Sequence, residues 1–192
     1  GVFIPRPETE TIILAATDLI ANPEAKIHII DICTGSGALA VVLAKIFPES
    51  VVCATDISQK AVNIAKKNVR FHNLQDRVFV YRANIINKKI DRKFSLIVSN
   101  PPYLTREEID DAPEEVRKEP LRALKGGTDG MAVIRRIMRI APELLEEDGF
   151  LLFEISPWQA KFFQNLEKYG LILVKIVKDI NGVERVVVLK QV

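Results

Sequence analysis

Residues 27–38 read Ile-His-Ile-Ile-Asp-Ile-Cys-Thr-Gly-Ser-Gly-Ala. Ile27 to Ile32 is a near-continuous apolar run of strand length, the pattern of a strand covered on both faces in a parallel sheet. The run ends at Gly35 and Gly37, which admit positive φ and let a ligand approach the backbone closely. Leu39, Val42, Leu43, Ile46 and Phe47 then recur at helical spacing. A helix starting there points its first N–H groups at whatever lies in the turn. In a doubly wound sheet ligands bind at the carboxyl ends of the strands, where this turn falls.

The same alternation extends in both directions. Before it, Ile12, Ile13, Ala16, Leu19 and Ile20 predict a helix over 7–20, with Pro7 as a first helical residue and Glu8 and Glu10 in its first turn. After it come a strand at Val51–Thr55, a helix from an N-cap at Ser58 to Phe71, and strands at Val78–Tyr81 and Phe94–Ser99. Residues 104–127 read as irregular. Met131 to Leu145 predicts a long helix kinked at Pro142, followed by a strand at Phe150–Ile155 and a helix through Trp158, Phe162 and Leu166 closed by Gly170. Leu171–Val177 and Arg185–Leu189 flank Asn181-Gly182 as an antiparallel hairpin. A parallel sheet with such a terminal hairpin is the pattern of the class I S-adenosylmethionine-dependent methyltransferases. The predicted fold is therefore α/β and Rossmann-like: a doubly wound, mostly parallel seven-stranded sheet with an antiparallel C-terminal hairpin.

Composition narrows the function classes. The 192 residues predict one domain that buries on the order of 70% of its unfolded surface. The 27 basic and 25 acidic residues are interspersed, which disfavours nucleic acid and membrane surfaces as partners. No apolar run approaches the roughly 20 residues needed to span a bilayer. Two cysteines without a CxxC pattern and two histidines predict no metal site and suit a reducing cytoplasm.

A second motif carries the chemistry. Leu96 to Ser99 is a buried strand that stops at Asn100-Pro101-Pro102-Tyr103. Each proline fixes its own φ and restrains the residue before it, so the Asn100 amide and the Pro101 carbonyl sit on a stiff backbone. A carboxamide oxygen and a main-chain carbonyl form a pair of acceptors suited to a planar –NH2 group. The glycine turn alone does not choose its cofactor. Gly35-x-Gly37-x-x-Ala40 also fits the dinucleotide fingerprint, and Asp56 follows Gly37 at about the 20-residue spacing of a ribose-binding carboxylate. Asp31, just before the turn, suits a cationic sulfonium amino acid and would repel a pyrophosphate. Together with the tetrad it favours S-adenosylmethionine over NAD. A strand-end cap remains the alternative role for Asp56.

The motifs resemble those of the HemK/PrmC protein-(glutamine-N5) methyltransferases over nearly the whole chain. They comprise Ile4-Pro-Arg-Pro-Glu-Thr-Glu10, Asp31–Gly37, Asp56-Ile57-Ser58, Ser99–Tyr103, Glu119-Pro120 through Ala123-Leu124 to Gly126-Gly127-Thr-Asp129-Gly130, Glu154-Ile155 with Gln159, and Arg185–Val187. The resemblance implies methyl transfer from S-adenosylmethionine to the glutamine of the Gly-Gly-Gln motif in peptide-chain release factors. It places Asp31 and Cys33, Thr34, Gly35, Ser36 and Gly37 around the methionine moiety, Asp56 and Ile57 at the ribose, and Asn84 and Ile85 near the adenine. Asn100 borders cofactor and substrate. Asn100 and Pro101 would bind the substrate amide, Pro102 and Tyr103 would wall the site, and Phe3 and the Pro5–Glu10 segment would fold over its mouth, with Arg6 contacting substrate or held in a structural ion pair. Cys33 stands where many relatives have glycine. The chain opens at Gly1 directly on a motif, so the expectation is a catalytic domain, 1–192, without the relatives' helical N-terminal domain. A monomer in the cytoplasm is expected. The tetrad by itself is shared with adenine-N6 methyltransferases acting on DNA or RNA, which stay as the alternative.

Overall fold

The computed structural model describes residues 2, 4, 6–84 and 90–192, so the expectations for Phe3, Pro5 and Ile85 lie outside the described residues. A 3-10 turn at Pro7–Thr9 leads into α1 (Glu10–Leu19). Then β1 (His28–Ile32), α2 (Ala38–Ile46), β2 (Val51–Asp56), α3 (Gln59–Phe71), β3 (Val78–Arg82) and β4 (Phe94–Ser99) follow. Three short helices, α4 (Arg106–Asp110), α5 (Glu114–Arg117) and α6 (Leu121–Leu124), precede α7 (Ala132–Leu144) and β5 (Leu145–Glu154). The chain closes with β6 (Leu171–Lys178) and β7 (Glu184–Gln191).

The strands form one seven-stranded sheet in the order β3-β2-β1-β4-β5-β7-β6. Pairings from β3 to β5 are parallel, and β7 runs antiparallel to both β5 and β6. Because successive strand residues face opposite sides, two cores result. Ile29, Leu96, Val98 and Leu152 pack against α1, α2 and α3, while Ile30, Ile97, Leu151 and Phe153 pack against α7 and the segments after β5. On α7, Ile134, Ile137, Met138, Ala141 and Leu144 form the buried stripe. Each fully buried aliphatic side chain there contributes about 2 kcal/mol.

Four expectations need correction. Residues 104–127 are not irregular: they hold α4, α5 and α6, the first begun by a reciprocal cap in which Thr105 and Glu108 bond each other's backbone. Pro142 does not kink a continuing helix: α7 loses the bond that an N–H at 142 would have made and ends two residues later, at Leu144. The fifth strand starts at Leu145, not Phe150, with its register shifting between Phe94 and Leu96 of β4. Glu146, Glu147 and Asp148 lie in that irregularity, between Leu145, which pairs with Phe94, and Phe150, which pairs with Leu96. The segment after β5 is not one helix but two 3-10 turns, Pro157–Phe163 and Glu167–Tyr169, the second closed by Gly170 at φ 67°.

The segment between β4 and α7 folds back on Tyr103. Leu104 N–H donates to Leu124 O, and Gly126 N–H donates to Leu104 O. Gln159 Nε2 donates to Tyr103 O at 3.2 Å and to Gly130 O at 3.1 Å. Any Cβ on Gly126 would sit 2.7 Å from Pro102 O and 2.7 Å from Tyr103 Cα. Only a bare backbone fits there. Gly126→Ala is expected to lower stability by about 2 kcal/mol or more, read as a fall in the urea midpoint, and to lower methyl transfer as the Pro102-Tyr103 backbone shifts. An unchanged midpoint would show that this packing tolerates a side chain.

Candidate active site

The strand order reverses at β1, which pairs with β2 on one side and β4 on the other. The connections leave in opposite directions and open a crevice at the carboxyl ends. Here lies a cavity of about 990 Å³. Its wall includes Arg6, Asp31, Cys33, Thr34, Gly35 and Ser36, then Asp56, Ile57 and Asn84, and finally Asn100, Pro101, Pro102 and Tyr103. Every described residue expected to meet cofactor or substrate is thus on the wall except Gly37, and of the segment expected over the mouth Arg6 and Thr9 are there. Gly37 caps α2 at φ 81°, where a Cβ would meet Ala65 Cβ at 3.0 Å, so its role is to let α2 and α3 approach.

Cross-strand bonds hold the crevice open. Ser99 Oγ donates to Ile32 O at 2.6 Å, and Thr34 N–H donates to Thr55 O at 3.0 Å. Cys33 occupies the left-handed region at φ 62°, a conformation that glycine adopts freely and other residues reach at about 1–2 kcal/mol. The turn therefore keeps its shape with cysteine there, under strain. Gly35, at φ 57°, has open space where a Cβ would point.

Asp31 is fully buried. Its Oδ2 accepts from the Thr34 hydroxyl at 2.5 Å, and its Oδ1 has no hydrogen-bond partner among the described residues. Burial pushes its pKa up to about 7; the Thr34 hydroxyl and the nearby Ala40 N–H offset part of that, and Asp56 adds to the rise. Asp56 accepts Gly35 N–H on Oδ2 at 3.0 Å and Ser58 N–H on Oδ1 at 2.8 Å. It is a strand-end cap, and each of its oxygens keeps a second lone pair for a ligand hydroxyl. Arg6 pairs with Glu119 at 2.7 Å.

At the other end of the cavity, Asn100 Nδ2 donates to Thr9 Oγ1 at 3.0 Å, and Asn100 Oδ1 has no hydrogen-bond partner among the described residues. Thr9 Oγ1 in turn donates to Glu154 Oε2 at 2.8 Å, and Tyr103 OH donates to Glu154 Oε1 at 2.8 Å. Thr9 belongs to the Pro5–Glu10 segment expected over the mouth, without a role of its own, and Glu154 was not among the expected site residues. A carboxylate closing the apolar run Phe150–Phe153 was the available signal, since a buried charge needs partners. Burial pushes the Glu154 carboxyl upward against the Thr9 and Tyr103 hydrogen bonds and the Arg185 charge. Burial and Glu154 together hold the Tyr103 phenol well above its ordinary range. Among the described residues no group of three or more His, Cys, Asp or Glu is placed to hold a metal ion.

The reversed strand order, the glycine turn and the β7 insertion define a class I S-adenosylmethionine-dependent methyltransferase. Solved structures share the fold: a ribosomal protein methylase of Lactobacillus delbrueckii subsp. bulgaricus superposes with a TM-score of 0.70 at 20% identity, over 99% of this chain and 81% of that one. The Methyltransferase small domain family matches residues 11–148. Release factor glutamine methyltransferase of Thermodesulfovibrio yellowstonii is 37% identical over 100% of this chain and 69% of its own length. That of Clostridium acetobutylicum is also 37% identical, over 97% of this chain and 67% of its own. The chain belongs to the release factor glutamine methyltransferase family and spans about two thirds of the length of these relatives.

The site fits the cofactor of that class. A buried carboxylate with one unpartnered oxygen suits an ammonium group, and Asp56 has acceptors left for ribose hydroxyls. A cationic amino acid ligand prefers ionised Asp31. As pH falls below about 7 the carboxyl takes up a proton, and affinity drops toward tenfold per unit. Calorimetric titration with S-adenosylhomocysteine, whose ammonium stays charged, is expected to show affinity rising from pH 6 to pH 8 and levelling above. In Asp31→Asn that dependence should vanish and binding should weaken. A flat profile in the unsubstituted chain would show that Asp31 does not meet the ligand's charge.

Proposed function

We propose that this chain methylates the side-chain amide nitrogen of a glutamine in a peptide-chain release factor, at the cavity mouth lined by Asn100 and Pro101. The observation that carries the reading is the state of the Asn100 carboxamide: Asn100 lines the cavity, its donor end is bonded to Thr9, and its acceptor end is unbonded among the described residues. The names of the relatives support the choice of substrate. A protein partner, not a nucleic acid, suits the balanced charge of +2. No helix among the described residues is long and apolar enough to cross a membrane, and Cys33 and Cys53 are both free, which suits a reducing cytoplasm. We take the acting species to be a monomer, with residues 1–192 as its catalytic domain.

An amide nitrogen is a weak nucleophile because its lone pair is delocalised into the carbonyl. When bound, the cofactor supplies a methyl group on a cationic sulfur, an electrophile that needs no further activation. What the protein adds is alignment, which can lower a barrier by about 7–11 kcal/mol in favourable systems. Asn100 Oδ1 and the Pro101 carbonyl accept the two hydrogens of the glutamine –NH2 and hold its nitrogen toward the cofactor. Both acceptors interact more strongly with those hydrogens as positive charge grows on nitrogen, so they favour the transition state over the ground state. The surplus proton leaves to water after transfer, and no side chain is assigned as base. Asp31 and residues 33–36 of the turn hold the methionine end, Asp56 and Ile57 the ribose, and Asn84 the adenine side.

Asn100→Ala should lower turnover by about 10²-fold or more while the dissociation constant for S-adenosylhomocysteine stays within about tenfold, or roughly 1.4 kcal/mol. Mass spectrometry of a release factor incubated with chain and labelled cofactor gives the rate and locates the methyl group. Label on an oligonucleotide offered in parallel, with none on the glutamine, would replace this reading by the nucleic-acid one.

A further inference from the structure

We propose that the buried Glu154 carboxylate, acting through the Thr9 hydroxyl, dictates which end of the Asn100 carboxamide faces the cavity, so that Glu154 and Thr9 are positioning residues for the amide site. The inference rests on the reading that Asn100 Oδ1 accepts a substrate hydrogen.

A carboxamide has a donor end and an acceptor end of nearly equal size, and rotation about its last bond exchanges them. A cavity wall that holds Asn100 by shape alone would leave either end forward. With –NH2 forward, two donors would face each other and the substrate amide would be repelled. Something polar must break the tie.

The tie is broken two hydrogen bonds away. Glu154 is 1% exposed at the end of β5, and an ionised carboxylate only accepts. Thr9 and Tyr103 each have one hydroxyl proton, and each directs it to a different Glu154 oxygen, both at 2.8 Å. With its proton committed, Thr9 Oγ1 has only lone pairs to offer, so its bond to Asn100 at 3.0 Å requires the donor end there. Oδ1 is then the end left for the cavity. Burial works most strongly against the ionised form and Glu8 adds to that, while the two hydroxyl donors and the Arg185 charge favour it. A hydroxyl donating to each Glu154 oxygen is the pattern an ionised carboxylate accepts. Arg185 also bonds Asp179 at 3.0 Å, so its charge is held in place independently of Glu154.

A merely structural role fits less well. Burying an ion is costly, and an apolar residue of similar size is often as stable or more so. Methionine approximates the volume of glutamate without its acceptors. In Glu154→Met the Thr9 proton is released and can turn to Asn100, which then has no fixed polarity. Thr9→Val removes the relay while leaving Glu154 and Tyr103 bonded. Thr9→Ser keeps the hydroxyl.

The test measures methylation of a release factor by the intact chain, binding of S-adenosylhomocysteine, and the thermal midpoint for each variant. Glu154→Met and Thr9→Val are each expected to lower kcat by about 10²-fold, the scale of a misaligned reacting group. Ligand affinity should stay within about twofold in both. The midpoint should hold or rise in Glu154→Met and fall modestly in Thr9→Val, where one Glu154 oxygen loses its donor. A lost kcat with ligand binding intact is the pairing that loss of structure does not produce. Thr9→Ser is expected to recover most of kcat. Adding Thr9→Val to Asn100→Ala should lower the residual rate no further, since both act on one group. In the 15N-labelled chain, the side-chain NH2 signal that disappears in Asn100→Ala should move in Glu154→Met and Thr9→Val but not in Thr9→Ser. If Glu154→Met fails to fold, Thr9→Val and the NH2 signal decide. Wild-type kcat in Thr9→Val, with Asn100→Ala inactive, overturns the inference and leaves the amide site standing. Wild-type kcat in Asn100→Ala overturns the amide site itself.

Discussion

The parallel pairing of β1 with β4, where the sheet changes direction, is the constraint on which the rest depends. It aligns Asp31 with Val98 and Ile32 with Ser99, so the glycine turn and the proline tetrad emerge side by side. The Ser99 hydroxyl bonded to Ile32 O ties the two exits together at 2.6 Å. Neither motif can move without disturbing strands whose residues are buried on both faces. The glycine turn and the Asn-Pro-Pro-Tyr corner, separated by more than sixty residues of chain, thus become two walls of one cavity.

Two buried carboxylates divide the electrostatics of that cavity. Both end strands, and burial raises the pKa of both. They differ in how they are satisfied. Glu154 receives a hydroxyl on each oxygen, so its field is directed inward, toward Thr9 and Tyr103. Asp31 keeps one oxygen without a partner, which leaves a buried acceptor costing about 1–3 kcal/mol until something meets it. The first arrangement sets the orientation of neighbours. The second favours a ligand that brings a positive charge.

Shape at the site comes at a local conformational cost. Cys33 sits at positive φ in the cofactor turn without the freedom of glycine. Gly126 and Gly130 instead remove side chains where backbones meet, for Cβ atoms there would lie 2.4 Å from Gly130 O and 2.3 Å from Tyr103 O respectively. The tetrad is therefore stiff for two reasons: its own prolines, and a second backbone pressed against it and fastened by Gln159. The segment from 104 to 127 is part of that support, which explains why it is built of short helices and not of open loop.

Local pattern determined much of this protein. Apolar runs such as 27–32 and 96–99 state that strands are buried, helical spacing along 38–47 and 131–145 states where helices cover them, and the turn residues mark what lies between. The glycine turn and the Asn-Pro-Pro-Tyr corner were legible because backbone chemistry acts within a few residues. The polar run 146–148 hid the start of β5, since a bulge and a loop look alike without their partner strand. The Thr9–Asn100–Glu154 chain was beyond any local reading: its members are 91 and 145 residues apart in sequence. Only the folded sheet brings β4 and β5 together beneath the turn that precedes α1. Hydrogen-bond polarity is a property of neighbours in space, and so tertiary structure alone decided which way the Asn100 amide faces.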